Sequence, residues 1–243
     1  LYGGVLYPLV AVIGWRAGRP SPAYRSAETP TVLLGVRLAL AATDLVMAFL
    51  AFAFASALFG GPGALPATNP TLVYALLLWP VLVWREGLYP GYGTTPPQEL
   101  RKQVVAATYA GGILAVGTVL FSTELRLAPG VLLSMVLLSM MLAPMGRALS
   151  KRLLHRLGLW GRPVIILGAG VVGRRVASAL TKNPLDGLRP VAFFDDDPAK
   201  IGQRLADLPV RGTLEEAAPF AVREGIQHAI VAVSRASPEL LTS

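Results

Sequence analysis

The chain has 243 residues, 53% of them hydrophobic and 15% charged, with a formal net charge of +8 and a mean hydropathy of +0.56. That balance is shifted toward membrane proteins and leaves too little polar sequence to wrap so much apolar helix in a soluble core. The absence of cysteine excludes disulfides and thiolate metal sites, and two histidines argue against any metal centre.

Leu1–Trp15 is apolar and carries Gly3, Gly4 and Pro8. It reads as the tail of an earlier span, an interfacial segment or a loop packed on a bundle; the start at Leu1 suggests a fragment. A secretory signal is not expected, since a charged region before the apolar run and a small-x-small cleavage site are both missing. Residues 1–37 are therefore set apart as an N-terminal segment, partly cytoplasmic through Arg16, Arg19 and Arg25.

From Leu45 to Trp84 there is no Asp, Glu, Lys or Arg, and two more uncharged runs follow, Gln103–Thr123 and Leu127–Gly146. Each later run is near the roughly 20 residues that cross about 30 Å of hydrocarbon. Basic residues gather at Arg16–Arg37, Arg85–Lys102 and Arg147–Arg162, while the Gly60–Pro70 and Thr123–Arg126 links hold only Glu124 and Arg126 as charges. The positive-inside bias then predicts four crossings within residues 38–146, with the basic clusters in the cytoplasm. The predicted spans are Leu38–Phe59, Thr71–Trp84, Val104–Phe121 and Leu127–Met145.

Asp44 is the one ionisable side chain inside the first span. An intramembrane carboxylate is a functional candidate by default, but pairing with Arg37 two turns away is the favoured reading. The second span is short and holds Pro80. On the third, Gly111, Gly112 and Gly117 are expected to let helices approach closely. Pro144 is expected to mark the exit of the fourth. Beyond it, residues 147–161 interleave Arg147, Lys151, Arg152, His155 and Arg156 with leucines, the pattern of a basic juxtamembrane helix lying on anionic lipid.

Between spans two and three runs Leu88-Tyr89-Pro90-Gly91-Tyr92-Gly93, with Thr95 placed to cap a helix that begins at Pro96 or Pro97 and Glu99 in its first turn. The Gly-Tyr-Gly is not a potassium filter, because Tyr89-Pro90 stands where Thr-Val is needed and the flanking charge is cytoplasmic.

At Arg162 the chain becomes that of a soluble α/β domain, predicted over residues 162–243. Pro163–Leu167 reads as a buried strand, Gly168-Ala169-Gly170-Val171-Val172-Gly173 as a turn into a helix, and Val191–Phe194 as a second strand ending at Asp195-Asp196-Asp197. Asp195 stands 22 positions past Gly173, close to the spacing that grips a dinucleotide ribose. Gly168 would make the tight turn, Gly170 let a pyrophosphate approach, and Gly173 pack the helix on the sheet, with the helix N-terminus facing the phosphates. The nucleotide-site candidates are Gly168, Gly170, Gly173, Asp195 and Asp196; equally, the glycines build such a turn with no ligand. Leu208–Gly212 is a short strand or turn, Thr213 and Glu216 a capping box, Ala229–Val233 another buried strand, and Ser237-Pro238 a helix start. Too few strands are visible for a complete doubly wound sheet, so a partial Rossmann-like domain is expected. No catalytic set appears.

The Gly87–Lys102 stretch, with its Gly-Leu-Tyr-Pro-Gly-Tyr-Gly and Glu-Leu-Arg-Lys, resembles the membrane region of the large bacterial polyprenyl-phosphate hexose-1-phosphate transferases, the family of undecaprenyl-phosphate galactose phosphotransferase. The domain order agrees: four membrane helices, then a Rossmann-like domain. The resemblance implies a multi-pass inner-membrane enzyme with its soluble part in the cytoplasm. Its substrates would be a UDP-sugar and undecaprenyl phosphate, and the product would initiate polysaccharide synthesis. It also implies a homodimer, no nucleic-acid partner, and a further catalytic domain with an Asp-Glu pair and magnesium that this chain lacks. Two alternatives stay open: the leader of a membrane-bound nucleotide-sugar dehydratase or epimerase, and a channel or transporter with a nucleotide-sensing domain.

Overall fold

The computed structural model describes residues 11–14, 30–59, 70–120 and 128–232. The links expected at Gly60–Gly63 and Thr123–Arg126, most of Leu1–Trp15 and the helix start at Ser237 lie outside them. The chain divides into two compact units, Leu33–Leu157 and the remainder, Leu1–Val32 with Gly158–Ser243.

The first unit is helical: α1 (Pro30–Phe59), α2 (Pro70–Arg85), α3 (Pro96–Leu120) and α4 (Pro129–Arg156). α1, α3 and α4 are long and apolar enough to cross a membrane, whereas α2 has 16 residues and falls short. Gly87, at φ +70°, ends α2, with its N–H donating to Trp84 O at 2.9 Å. α3 starts at Pro96, as the proline pair predicts, and Gln98 Oε1 accepts from the Thr95 N–H at 3.3 Å.

Helices in lipid gain little from apolar burial against one another, so small residues and polar contacts join them. Ala106, Ala107, Ala110 and Ala143 pack with Trp79 and Leu88. A Cβ on Gly111 would lie 2.6 Å from Val136 Cγ2, so that glycine does set the α3–α4 approach; Gly112 meets nothing and does not. Gly146 plays the same part between α4 and α1, where a Cβ would come 2.5 Å from Met47 Cγ.

Two expectations fail here. α4 does not end near Pro144 but runs through it to Arg156 as one 28-residue helix. There is no separate surface helix from residue 147, because Arg147 and Lys151 are 1% and 4% exposed. Only Arg152, His155 and Arg156 of that basic set face outward. The helix survives its proline because the far side is held by buried polar contacts.

The second unit is a six-stranded sheet in the order β1 (Ala11–Gly14), β6 (His228–Val231), β2 (Arg162–Leu167), β3 (Leu188–Phe194), β5 (Leu208–Gly212), β4 (Arg204–Leu205). The four central strands are parallel, and β1 and β4 pair antiparallel at the two edges. The sheet is thus fuller than expected, because the N-terminal segment lends a strand and a two-residue hairpin arm closes the other side. Ala11–Gly14 is therefore sheet, neither membrane tail nor bundle loop.

α5 (Val171–Lys182) links β2 to β3, and α6 (Leu214–Glu224) links β5 to β6. Alternation along the strands loads both faces. Ile165 and Phe194 pack with Phe220, Ala221 and Ile226, while Ile166 and Phe193 pack with Ala177 and Val210. Full burial of such side chains contributes about 1.5–3 kcal/mol each. Thr213 and Glu216 form the predicted capping box, and Gly225, at φ +71°, closes α6.

Candidate functional site

The glycine-rich turn sits where β2 hands over to α5. Gly168 takes φ +100°, a conformation that favours glycine, and its N–H donates to Phe194 O at 2.8 Å. A Cβ on Gly173 would stand 1.9 Å from Gly168 O, so that position must be glycine for α5 to close on the turn. Gly170 differs from both. It is the N-cap of α5 with φ −72°, and a Cβ there meets nothing within 4 Å. Neither backbone strain nor packing within the chain requires glycine at 170. The first intrahelical bond of α5 runs from the Arg174 N–H to Gly170 O at 3.0 Å, and the N–H groups before it are the orphan donors of a helix start. Arg174 and Arg175 are exposed beside them.

The aspartates after β3 are held by main-chain donors. Asp195 Oδ2 accepts from the Ala169 N–H at 2.7 Å, while Oδ1 accepts from the Asp197 N–H at 3.0 Å and Lys200 Nζ at 3.1 Å. Partial burial pushes its pKa up, but those donors prevail and hold the carboxyl below its usual range. The same contact to Asp195 raises the Lys200 ammonium above its ordinary value. Asp196 Oδ1 accepts from the Leu214 N–H at 2.9 Å, at the start of α6. The structure therefore brings Gly168, Gly170, Gly173 and Asp195 to one turn, where Asp195 ties the glycine loop to the end of β3. Asp196 is turned to α6.

A second polar arrangement lies inside the helical unit. Arg147 Nη1 donates to Asp44 Oδ2 at 2.7 Å, Nε to Glu99 Oε1 at 2.8 Å, and Nη2 to the Leu88 carbonyl. The Tyr89 hydroxyl donates to the same Asp44 oxygen at 2.6 Å, and the guanidinium lies 5.4 Å from the Tyr89 ring centroid. Lys151 Nζ reaches Glu99 Oε2. Among the described residues two acids and two bases meet here, and they join α1, α3, α4 and the Leu88-Tyr89 loop. The Asp44–Arg37 pair expected from the sequence is not the one formed; the partner of Asp44 is Arg147, 103 positions away. The sequence reading missed this cluster because it placed Arg147 and Lys151 on lipid headgroups. Their i, i+4 spacing on one helix face was the available signal. The cluster offers no nucleophile; what it does is hold helix ends and the loop in register.

A family model described as CoA-binding domain matches residues 87–239. A stretch of 59 residues is 44% identical to an undecaprenyl-phosphate galactose phosphotransferase from Salmonella typhimurium, covering 24% of this chain and 12% of that protein. A UDP-galactose-lipid carrier transferase from Erwinia amylovora is 39% identical over 74 residues, 30% of this chain and 16% of that protein. A redox-sensing transcriptional repressor Rex from Chloroflexus aggregans is 43% identical over 49 residues, 20% of this chain and 23% of the repressor. The chain is thus partially homologous to the two sugar-phosphate transferases and spans a small part of their length.

Proposed function

The chain belongs to the family described as CoA-binding domain, and on that footing we propose that it is the membrane-anchoring and nucleotide-binding-like part of a phosphoglycosyltransferase. The whole enzyme would transfer hexose-1-phosphate from a UDP-sugar to undecaprenyl phosphate and so initiate polysaccharide synthesis. The observation that carries the reading is the 44% identity to an undecaprenyl-phosphate galactose phosphotransferase, in a chain that joins apolar helices to an α/β unit.

In this reading the four helices cross the bacterial inner membrane, with their basic ends and the α/β unit in the cytoplasm. α2, at about 24 Å by 1.5 Å per residue, crosses where the bilayer thins or the following loop dips inward. The parallel strand order β5-β3-β2-β6 follows the 3-2-1-4 order of a mononucleotide-binding half, which supports a Rossmann-like assignment. Catalytic residues, and the magnesium they need, belong to a region beyond these 243 residues. The assembly is a homodimer.

The turn at Gly168 fits a nucleotide. Its support is Gly170, whose missing side chain leaves open space at a helix start. The first-turn N–H groups of α5 would hold the phosphates, with Arg174 and Arg175 adding charge. A nucleotide bound there supplies recognition rather than reaction chemistry. Asp195 keeps the loop in shape from beneath.

Purified full-length protein, given radiolabelled UDP-galactose or UDP-glucose and undecaprenyl phosphate, is expected to yield lipid-linked sugar phosphate and UMP. No transfer with any UDP-hexose removes the transferase reading. Calorimetry of the intact chain with UDP, UDP-sugar, NAD and CoA tests the turn separately, and no heat with any of them makes its glycines architectural.

A further inference from the structure

We propose that the exposed surface where the end of α2 meets α3 binds the phosphate of an anionic glycerophospholipid, held between Arg85 and Lys102 against the Tyr109 ring. The inference needs a bilayer around the helices but not the transferase reading.

Three observations carry it. The first is depth. Arg85 closes the short α2, and its guanidinium lies 5.0 Å from the centroid of the Tyr109 ring on α3. Tyr109 is six positions inside the uncharged run that begins at Gln103, about 9 Å along the helix axis. The early end of α2 therefore draws a lipid-facing cation toward a level occupied by acyl chains around the longer helices.

The second observation is that the cations lack counter-ions. Arg85 is exposed and Lys102 half-exposed, and among the described residues neither makes an ion pair. Glu86, next along the chain, pairs with neither. Elsewhere in this unit, Arg147 and Lys151 pair with Asp44 and Glu99. An unpaired lipid-facing arginine is unfavourable in hydrocarbon unless an anion or water meets it.

The third observation is shape. Lys102 and Tyr109 are seven residues apart, which places them on one face of α3 two turns apart. Helical side chains lean toward the N-terminus, so the Tyr109 ring is inclined toward Lys102. The Arg85 guanidinium carbon lies over the ring, and a planar guanidinium held there can still offer paired N–H groups to a phosphate. Trp84, 71% exposed, stands beside it as an interfacial aromatic. A phosphodiester between acyl chains supplies the missing charge, and its tails cover the apolar walls.

Trp84 is also the reporter. The whole chain is reconstituted into phosphatidylcholine vesicles carrying brominated phosphatidylglycerol or brominated phosphatidylcholine, and the Trp84 signal is isolated by subtracting the Trp84→Phe variant. Bromine quenching is expected to favour the anionic lipid about five-fold for each cation engaged, the size expected for a basic residue beside an anionic headgroup. R85Q and K102Q should each lower that preference and together abolish it, while R156Q, on α4, leaves it unchanged. Should R85Q fail to insert, K102Q alone decides. Equal quenching by the two lipids in the unaltered protein overturns the proposal. So does loss of preference in R156Q, which would indicate diffuse surface charge. Relief of quenching by undecaprenyl phosphate, with no competition from unbrominated phosphatidylglycerol, also overturns it and assigns this surface to the lipid carrier.

Discussion

Replacing Arg147 with methionine tests the polar joint of the helical unit. The guanidinium donates to Asp44, Glu99 and the Leu88 carbonyl, and it is 1% exposed, so water cannot take over its duties. Two of those bonds join ionised partners and are worth about 1.5–3 kcal/mol each, with about 1 kcal/mol for the carbonyl. Methionine fills much of the volume but leaves the Asp44 carboxylate with only the Tyr89 hydroxyl; Glu99 keeps Lys151. The net loss should be about 3–5 kcal/mol, the cost of breaking a buried pair from one side. Reversible unfolding in bicelles measures it. The double variant D44N/R147M should recover part of the loss, with a coupling of about 1–3 kcal/mol. A loss under about 1 kcal/mol for R147M refutes the reasoning, since a groove-exposed, hydrated arginine would behave that way. Failure of D44N to rescue refutes it equally.

Gly173→Ala should destabilise the α/β unit severely, because its Cβ collides with the Gly168 carbonyl, whereas Gly170→Ala should keep thermal stability within about 0.5 kcal/mol. If the turn takes a nucleotide, Gly170→Ala is the variant that loses calorimetric heat while staying folded. Asp195 has a folded pKa below its unfolded value, so its contribution is complete above the unfolded value and fades as pH falls through the folded one. An acid titration of unfolding midpoints should therefore be flatter in Asp195→Asn than in the unaltered chain. His228 is held below its ordinary pKa of 6.5 by burial and by Arg162, whose Nη1 lies 2.9 Å from Nε2. The unfolded chain takes up that proton first, so stability should fall as pH drops below about 6.5, and His228→Gln should remove this step. Tyr89→Phe should cost about 1–2 kcal/mol, less than R147M, since Arg147 still neutralises Asp44.

The apolar runs, the proline start of α3, the strand pair around the glycine turn and the capping box at Thr213 were all legible, because each depends on residues within a few positions. What escaped depends on pairings between distant positions. Asp44 and Arg147 carry no mark in a single sequence that joins them, and Arg37 was the nearer cation. Pro144 read as a stop because proline usually is one, but burial of Gly146, Arg147 and Lys151 on the following turns overrides it. The strand at Ala11–Gly14 was invisible for a related reason: three apolar residues and a glycine look the same whether they meet lipid, a helix or the edge of β6. The glycine spacing located the turn, yet it could not separate Gly170 from Gly173, since only the built backbone reveals which position is crowded.

Because Ala11–Gly14 lies antiparallel along Ala229–Val231 and His228, the α/β unit is assembled from both sides of the helical insertion. A biochemist trimming away the membrane part at Gly158 would bare a row of unsatisfied amides on β6, an invitation to fibrillar stacking between fragments. A water-soluble version therefore calls for grafting the N-terminal strand back, by a short linker or as an added peptide, before its ligand preferences are measured.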